Sequence, residues 1–130
     1  MTDKRIVLST AGSEEEARKI ARHLVEKRLA ACVNIFPQVI SIYRWQGKVE
    51  ETAEWLLVIK TTEAAFDRVR SAIGKLHSYE LPECISLEIE SGSDAYLQWI
   101  SDNADGKTIE PRRAKRKAAN GGRNDRVALD

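Results

Sequence analysis

The run His77-Ser78-Tyr79-Glu80-Leu81-Pro82-Glu83-Cys84 gathers an imidazole, a phenol, two carboxyls and a thiol into eight consecutive residues. Imidazole, carboxylate and thiolate are donors that copper and zinc accept. His77, Glu80, Glu83 and Cys84 therefore form one candidate set for a weakly held divalent metal. A second set surrounds Tyr43-Arg44-Trp45, where two aromatic faces flank a guanidinium. With Tyr79 from the loop and Lys60 as a counter-charge, these residues could line a small-ligand cleft. Each also has a purely structural role open to it. His77 suits the negative dipole end of a helix, Tyr79 can pack with its hydroxyl bonded, and the glutamates can simply be solvated. Trp45 stays open between cleft and packing; Trp55 is expected at an interface and Trp99 in the core.

Templates for catalysis are absent: the chain has no G-x-S-x-G, no H-E-x-x-H and no Walker loop. An acylphosphatase-like phosphate loop would need more glycine than Ala11-Gly12-Ser13 provides, and Trp55-Leu56-Leu57-Val58-Ile59 lacks the aromatic signature of an RNA-recognition sheet. Binding, not enzymatic turnover, is the expectation. Cys32 and Cys84 lack close CxxC spacing, so reduced thiols are expected. Cys32 reads as a small buried hydrophobe and Cys84, opening the last strand, as the better placed soft ligand or oxidation site.

These side chains need a scaffold, and the hydropathy pattern supplies one. Arg5 to Thr10 reads as a strand. Ser13 with Glu16 three residues on reads as a reciprocal capping box, opening a helix with Ala17, Ile20, Ala21, Leu24 and Val25 on one face. Cys32 to Phe36 is strand, bent at Pro37 and resumed from Gln38 to Trp45, with a turn at Gln46-Gly47 whose register stays open between two types. Trp55 to Ile59 is a near-continuous apolar run, as in a strand buried on both faces. Thr62 caps a second helix carrying Phe66, Val69, Ile73 and Leu76; Cys84 to Glu90 is a last strand; Ser93-Asp94 begins a short helix with Tyr96, Leu97, Trp99 and Ile100 packing back. The fold class is α+β, a ferredoxin-like βαββαβ sandwich with a long β-hairpin arm and a short C-terminal helix. The 13 residues from Lys48 to Lys60 reach about 43 Å at roughly 3.3 Å each, against a radius of gyration of about 13 Å for a domain this size. Such an arm overhangs its domain and calls for a partner chain.

With 130 residues, 42% hydrophobic and 32% charged, the chain holds one core. No apolar run approaches a membrane span and no leader precedes the first strand, which points to the cytoplasm. Residues 1–103 carry 13 Lys and Arg against 16 Asp and Glu; residues 104–130 carry 8 against 4. Domain boundaries follow: 1–103 folded, 104–130 a disordered basic tail. Its cluster Arg112-Arg113-Ala114-Lys115-Arg116-Lys117 could touch nucleic acid or another polyanion, although a solubilising tail is the simpler role.

Ala30-Ala31-Cys32-Val33-Asn34-Ile35, the stretch from Ser41 to Glu50, Ile59-Lys60-Thr61-Thr62 and the loop from His77 to Glu83 together resemble the CutA divalent-ion tolerance family, over residues 5 to about 102. The resemblance implies a cytoplasmic homotrimer of ferredoxin-like subunits, similar in assembly to the PII signalling proteins, tied to tolerance of copper and other divalent metals without an established reaction. The alternative within that assembly is a PII-like sensor for a small anionic ligand or a partner protein. This chain departs from the family pattern where His-Pro-Tyr-Glu becomes His77-Ser78-Tyr79-Glu80. It also carries Ser9 and Leu76 where some copper-binding members have cysteine and histidine.

Overall fold

A computed structural model describes residues 2–107. In chain order the elements are β1 (Lys4–Ala11), α1 (Glu14–Glu26), β2 (Cys32–Trp45), β3 (Lys48–Thr62), α2 (Phe66–Leu76), β4 (Ile85–Glu88) and α3 (Asp94–Asn103). The four strands form one antiparallel sheet in the order β2-β3-β1-β4, the ferredoxin-like arrangement. Val7 of β1 and Leu57 and Ile59 of β3 are fully buried against Ala17, Ile20 and Leu24 of α1 and Val69 and Ile73 of α2. A smaller cluster joins Ile100 and Leu97 of α3 to Ala31 and Ala104.

β3 is the longest element. Its second half, from Trp55 to Thr62, pairs with β1, whereas Lys48 to Glu54 pairs with β2 alone. These seven residues, about 23 Å at the usual strand rise, are the overhanging arm. The turn is the two-residue one: Trp45 pairs with Lys48, and Gln46 and Gly47 take φ of 51° and 82°, the mirror-image turn that matches strand twist. Pro37 and Gln38 form an irregularity between the Phe36 and Val39 pairings, with Gln38 at φ 56°. Ile40, Ile42 and Val49 on the arm are each 65% exposed.

Several expectations change. In β3 burial alternates, with Leu57 and Ile59 buried and Trp55, Leu56 and Val58 half-buried, because both helices lie on one face. Trp55 packs at the edge of the core. Trp99 and Tyr96 lie exposed on α3, stacked at 5.3 Å between ring centroids. α3 packs against β3 and β1 and buries one stripe, which Ile100 occupies. Val25 is likewise exposed. β4 is only four residues long. Ser13 Oγ accepts from Glu16 N, but the capping box is not reciprocal, for Glu16 reaches a different partner described below.

Contacts with the body continue just past residue 103. Ala104 is buried, Gly106 N–H donates to the Arg28 carbonyl at 2.7 Å, and Arg28 binds Asp105 at 2.9 Å and the Asp102 carbonyl. Arg28 leaves α1 at φ 59°, which turns it toward this segment. The basic cluster at 112–117 and the rest of the proposed tail lie outside the described residues.

The Arg28 hydrogen bond, aided by the Lys107 N–H, holds the Asp105 carboxyl down from 3.8 to about 2. Its stabilisation is full above the ordinary value and lost as pH falls through about 2. Urea titrations between these pH values should show a flatter decline for Asp105→Asn than for the parent. Truncation after residue 103 should cost about 1–3 kcal/mol relative to truncation after 107, by removing the buried Ala104 and the Arg28 contacts.

Candidate functional site: a carboxylate-floored cleft

Glu54 is a charged residue set in the apolar stretch Ala53-Glu54-Trp55-Leu56-Leu57, at the last position of β3 before the β1 ladder begins. It is 7% exposed. Its Oε2 accepts the Tyr79 hydroxyl at 2.7 Å, and the phenol reaches it by passing Gly12, where an added Cβ would sit 3.0 Å from the hydroxyl oxygen. Gly12 is thus a close-approach glycine between β1 and α1.

The loop after α2 is fixed by His77, whose side chain is fully buried. Its Nε2 lies 2.6 Å from the Thr10 carbonyl, and its Nδ1 accepts the Tyr79 N–H at 3.1 Å. A carbonyl can only accept, so Nε2 carries the proton and the ring is the neutral tautomer. Glu16 completes the anchor. Its two oxygens accept Ser78 N–H at 2.6 Å and Ser78 Oγ at 3.0 Å, with His77 Nδ1 3.6 Å away. Ser78 therefore gives the loop two bonds to α1, one of them through a backbone N–H that proline lacks.

Above this anchor lies a cavity of about 660 Å³ lined chiefly by Tyr43, Trp45, Glu54, Tyr79, Glu80 and Glu83, with Arg44, Ile42 and Leu81 at its walls. Burial and the Glu54 charge push the Glu83 carboxyl above its ordinary 4.5. Burial and the Glu54 hydrogen bond likewise push the Tyr79 phenol well above 10. The local field is negative.

Four of the five cleft residues expected from sequence, Tyr43, Arg44, Trp45 and Tyr79, do meet here. Lys60 does not. It sits six residues along β3 from Glu54, about 20 Å at strand rise, and its ammonium binds Asn34. The expected metal set divides. Glu80 and Glu83 line the cleft, His77 has both ring nitrogens committed to hydrogen bonds beneath it, and Cys84 packs half-buried against the core with its thiol pushed up by burial. Among the described residues, no three His, Cys, Asp or Glu side chains are grouped to hold a metal. Sequence reasoning missed Glu54, Glu16 and Gly12. Only Glu54 carried a signal, a carboxyl inside an apolar strand.

Fold and cleft together define a ferredoxin-like domain with an overhanging hairpin and a carboxylate-floored cleft. The family described as CutA1 divalent ion tolerance protein matches residues 5–103, and the chain belongs to that family. It is 51% identical over 100 residues to the divalent-cation tolerance protein CutA of Thermus thermophilus, covering 77% of this chain and 97% of that one. To human Protein CutA it is 47% identical over 91 residues, 70% of this chain but 51% of the human one; the chain thus spans about half the length of that relative. Among solved structures, CutA from Xylella fastidiosa superposes with a TM-score of 0.78 at 40% identity, covering 80% of this chain and all of that one. A CutA from Archaeoglobus fulgidus, described as a periplasmic divalent cation tolerance protein, gives 0.76 at 40% identity, covering 78% and 98%.

Glu83 binds its proton more tightly folded than unfolded, so it contributes stability at low pH that is lost as pH rises past 4.5. Glu83→Gln should raise the thermal midpoint at pH 7, with the gain fading toward pH 4. His77→Ala should cost about 2–4 kcal/mol by urea denaturation, since it opens a cavity and orphans the Thr10 carbonyl and the Tyr79 N–H.

Proposed function

We propose that this protein serves divalent-ion tolerance by binding, without turnover, and that it does so as a cytoplasmic homotrimer whose clefts take up a divalent cation such as copper or zinc weakly. The observation that supports this most is Glu54, a nearly buried carboxylate with no cation within 4.0 Å among the described residues. Glu83 and Glu80 line the same space. Among the described residues these carboxylates are not grouped closely enough to hold a metal by themselves, which makes a weak and incomplete metal site, so the reading requires water or a second copy to finish the coordination. The exposed apolar arm supports a second copy at this place, because an uncovered ribbon bearing Ile40, Ile42 and Val49 is costly in water. A small anionic ligand, as in a PII-like sensor, would meet three glutamates against one arginine.

Zinc titration by calorimetry at pH 7, beside light scattering, tests this reading. Binding weaker than about 1 μM is expected, reduced about tenfold by Glu54→Gln and fading as pH falls into the ordinary carboxyl range near roughly 4. Unchanged affinity in Glu54→Gln places the metal elsewhere, and a concentration-independent single chain of 14.6 kDa removes the second copy.

A further inference from the structure

The cleft is much larger than a metal ion needs. Six waters around a divalent ion occupy roughly 180 Å³, against a cavity of about 660 Å³, which is in the range of metabolite pockets. Its walls are also the wrong kind for a hydrated ion alone. Trp45 and Tyr43 project from the same face of the arm as Glu54, since their ladder partners Lys48 and Glu50 lie at even spacing from it along β3, and Leu81 adds further apolar surface. At the floor, one oxygen of Glu54 accepts the Tyr79 hydroxyl while the other has no protein partner among the described residues. Glu80, Glu83 and Arg44 form no ion pair among these residues either. The cleft thus offers three carboxyls against one guanidinium, beneath two electron-rich ring faces.

We infer that the cleft binds a small organic cation, an amine or guanidinium carried on an apolar or aromatic body, with its nitrogen donating to the free oxygen of Glu54 and its body against Trp45 and Tyr43. A charge-assisted hydrogen bond to a desolvated carboxylate and a cation held near aromatic faces are each stronger here than in water. A neutral molecule of the same shape leaves the Glu54 oxygen unpaired, and an anion meets the field of three glutamates. This inference shares the cleft with the metal reading but not its ligand.

Calorimetry on the full chain in EDTA, with phenethylamine as the cationic probe and 2-phenylethanol and 3-phenylpropionate as its neutral and anionic counterparts, tests the inference apart from any metal. Phenethylamine should saturate with a Kd of about 1 mM or tighter, and both counterparts should bind at least about tenfold more weakly. Glu54→Gln, which keeps an oxygen for Tyr79, should weaken phenethylamine about tenfold. Glu83→Gln, at the cleft wall, should weaken it less and serves as the deciding variant should Glu54→Gln not fold. Failure of phenethylamine to saturate below about 10 mM, 2-phenylethanol binding within about twofold of it, or undiminished affinity in both folded variants overturns the inference. Loss of zinc binding with phenethylamine binding intact overturns only the metal reading.

Discussion

The architecture depends on β3 having two different neighbours along its length. Over Trp55 to Thr62 it is an interior strand between β1 and β2, and the helices cover its Leu57 and Ile59 face. Over Lys48 to Glu54 it has β2 alone. The change falls at Ala11 opposite Trp55, where β1 stops and the chain turns through Gly12 into α1. One residue further along β3 stands Glu54, at the corner where the buried sheet becomes a free ribbon. That corner is the cleft floor. A strand ending elsewhere would bury Glu54 without a cavity or expose it to water.

A second set of bonds brings the loop after α2 to that corner. The neutral His77 ring bridges the Thr10 carbonyl of β1 and the Tyr79 N–H, while Glu16 of α1 holds Ser78 by backbone and hydroxyl. Between them the loop is tied to a strand and to a helix, and Tyr79 is delivered to Glu54. Bonding through the charged Glu16 carboxylate is stronger than a neutral pair, and its cost is that Glu16 cannot also close the capping box. The histidine is thereby a positioning residue for Tyr79, a role incompatible with donating either nitrogen to a metal while the loop holds this shape.

Electrostatically the corner is unbalanced. Burial, with the Glu54 charge beside it, pushes the Glu83 carboxyl upward, and burial with the Glu54 hydrogen bond does the same to the Tyr79 phenol. A protein selected for stability alone would pair or remove them, and unrelieved like charge in a cleft is a mark of ligand sites.

The sequence by itself determined the order and type of the elements, because helical and alternating periodicities, the Ser13 cap, the Gln46-Gly47 turn and Pro37 act over a few residues. It also carried the overhang, since strand length is a local property, and offered Tyr43, Arg44, Trp45 and Tyr79 as candidates for one cleft, with Trp45 open between cleft and packing. The tertiary structure decided what depends on residues far apart in the chain. It selected one hairpin register and placed Lys60 away from the cleft. It turned Glu16 from its own helix cap to Ser78, 62 positions on, consumed both nitrogens of His77, and tied Asp105 back to Arg28. Each of these is a competition among partners for one side chain, and only packing determines which partner comes within hydrogen-bond distance.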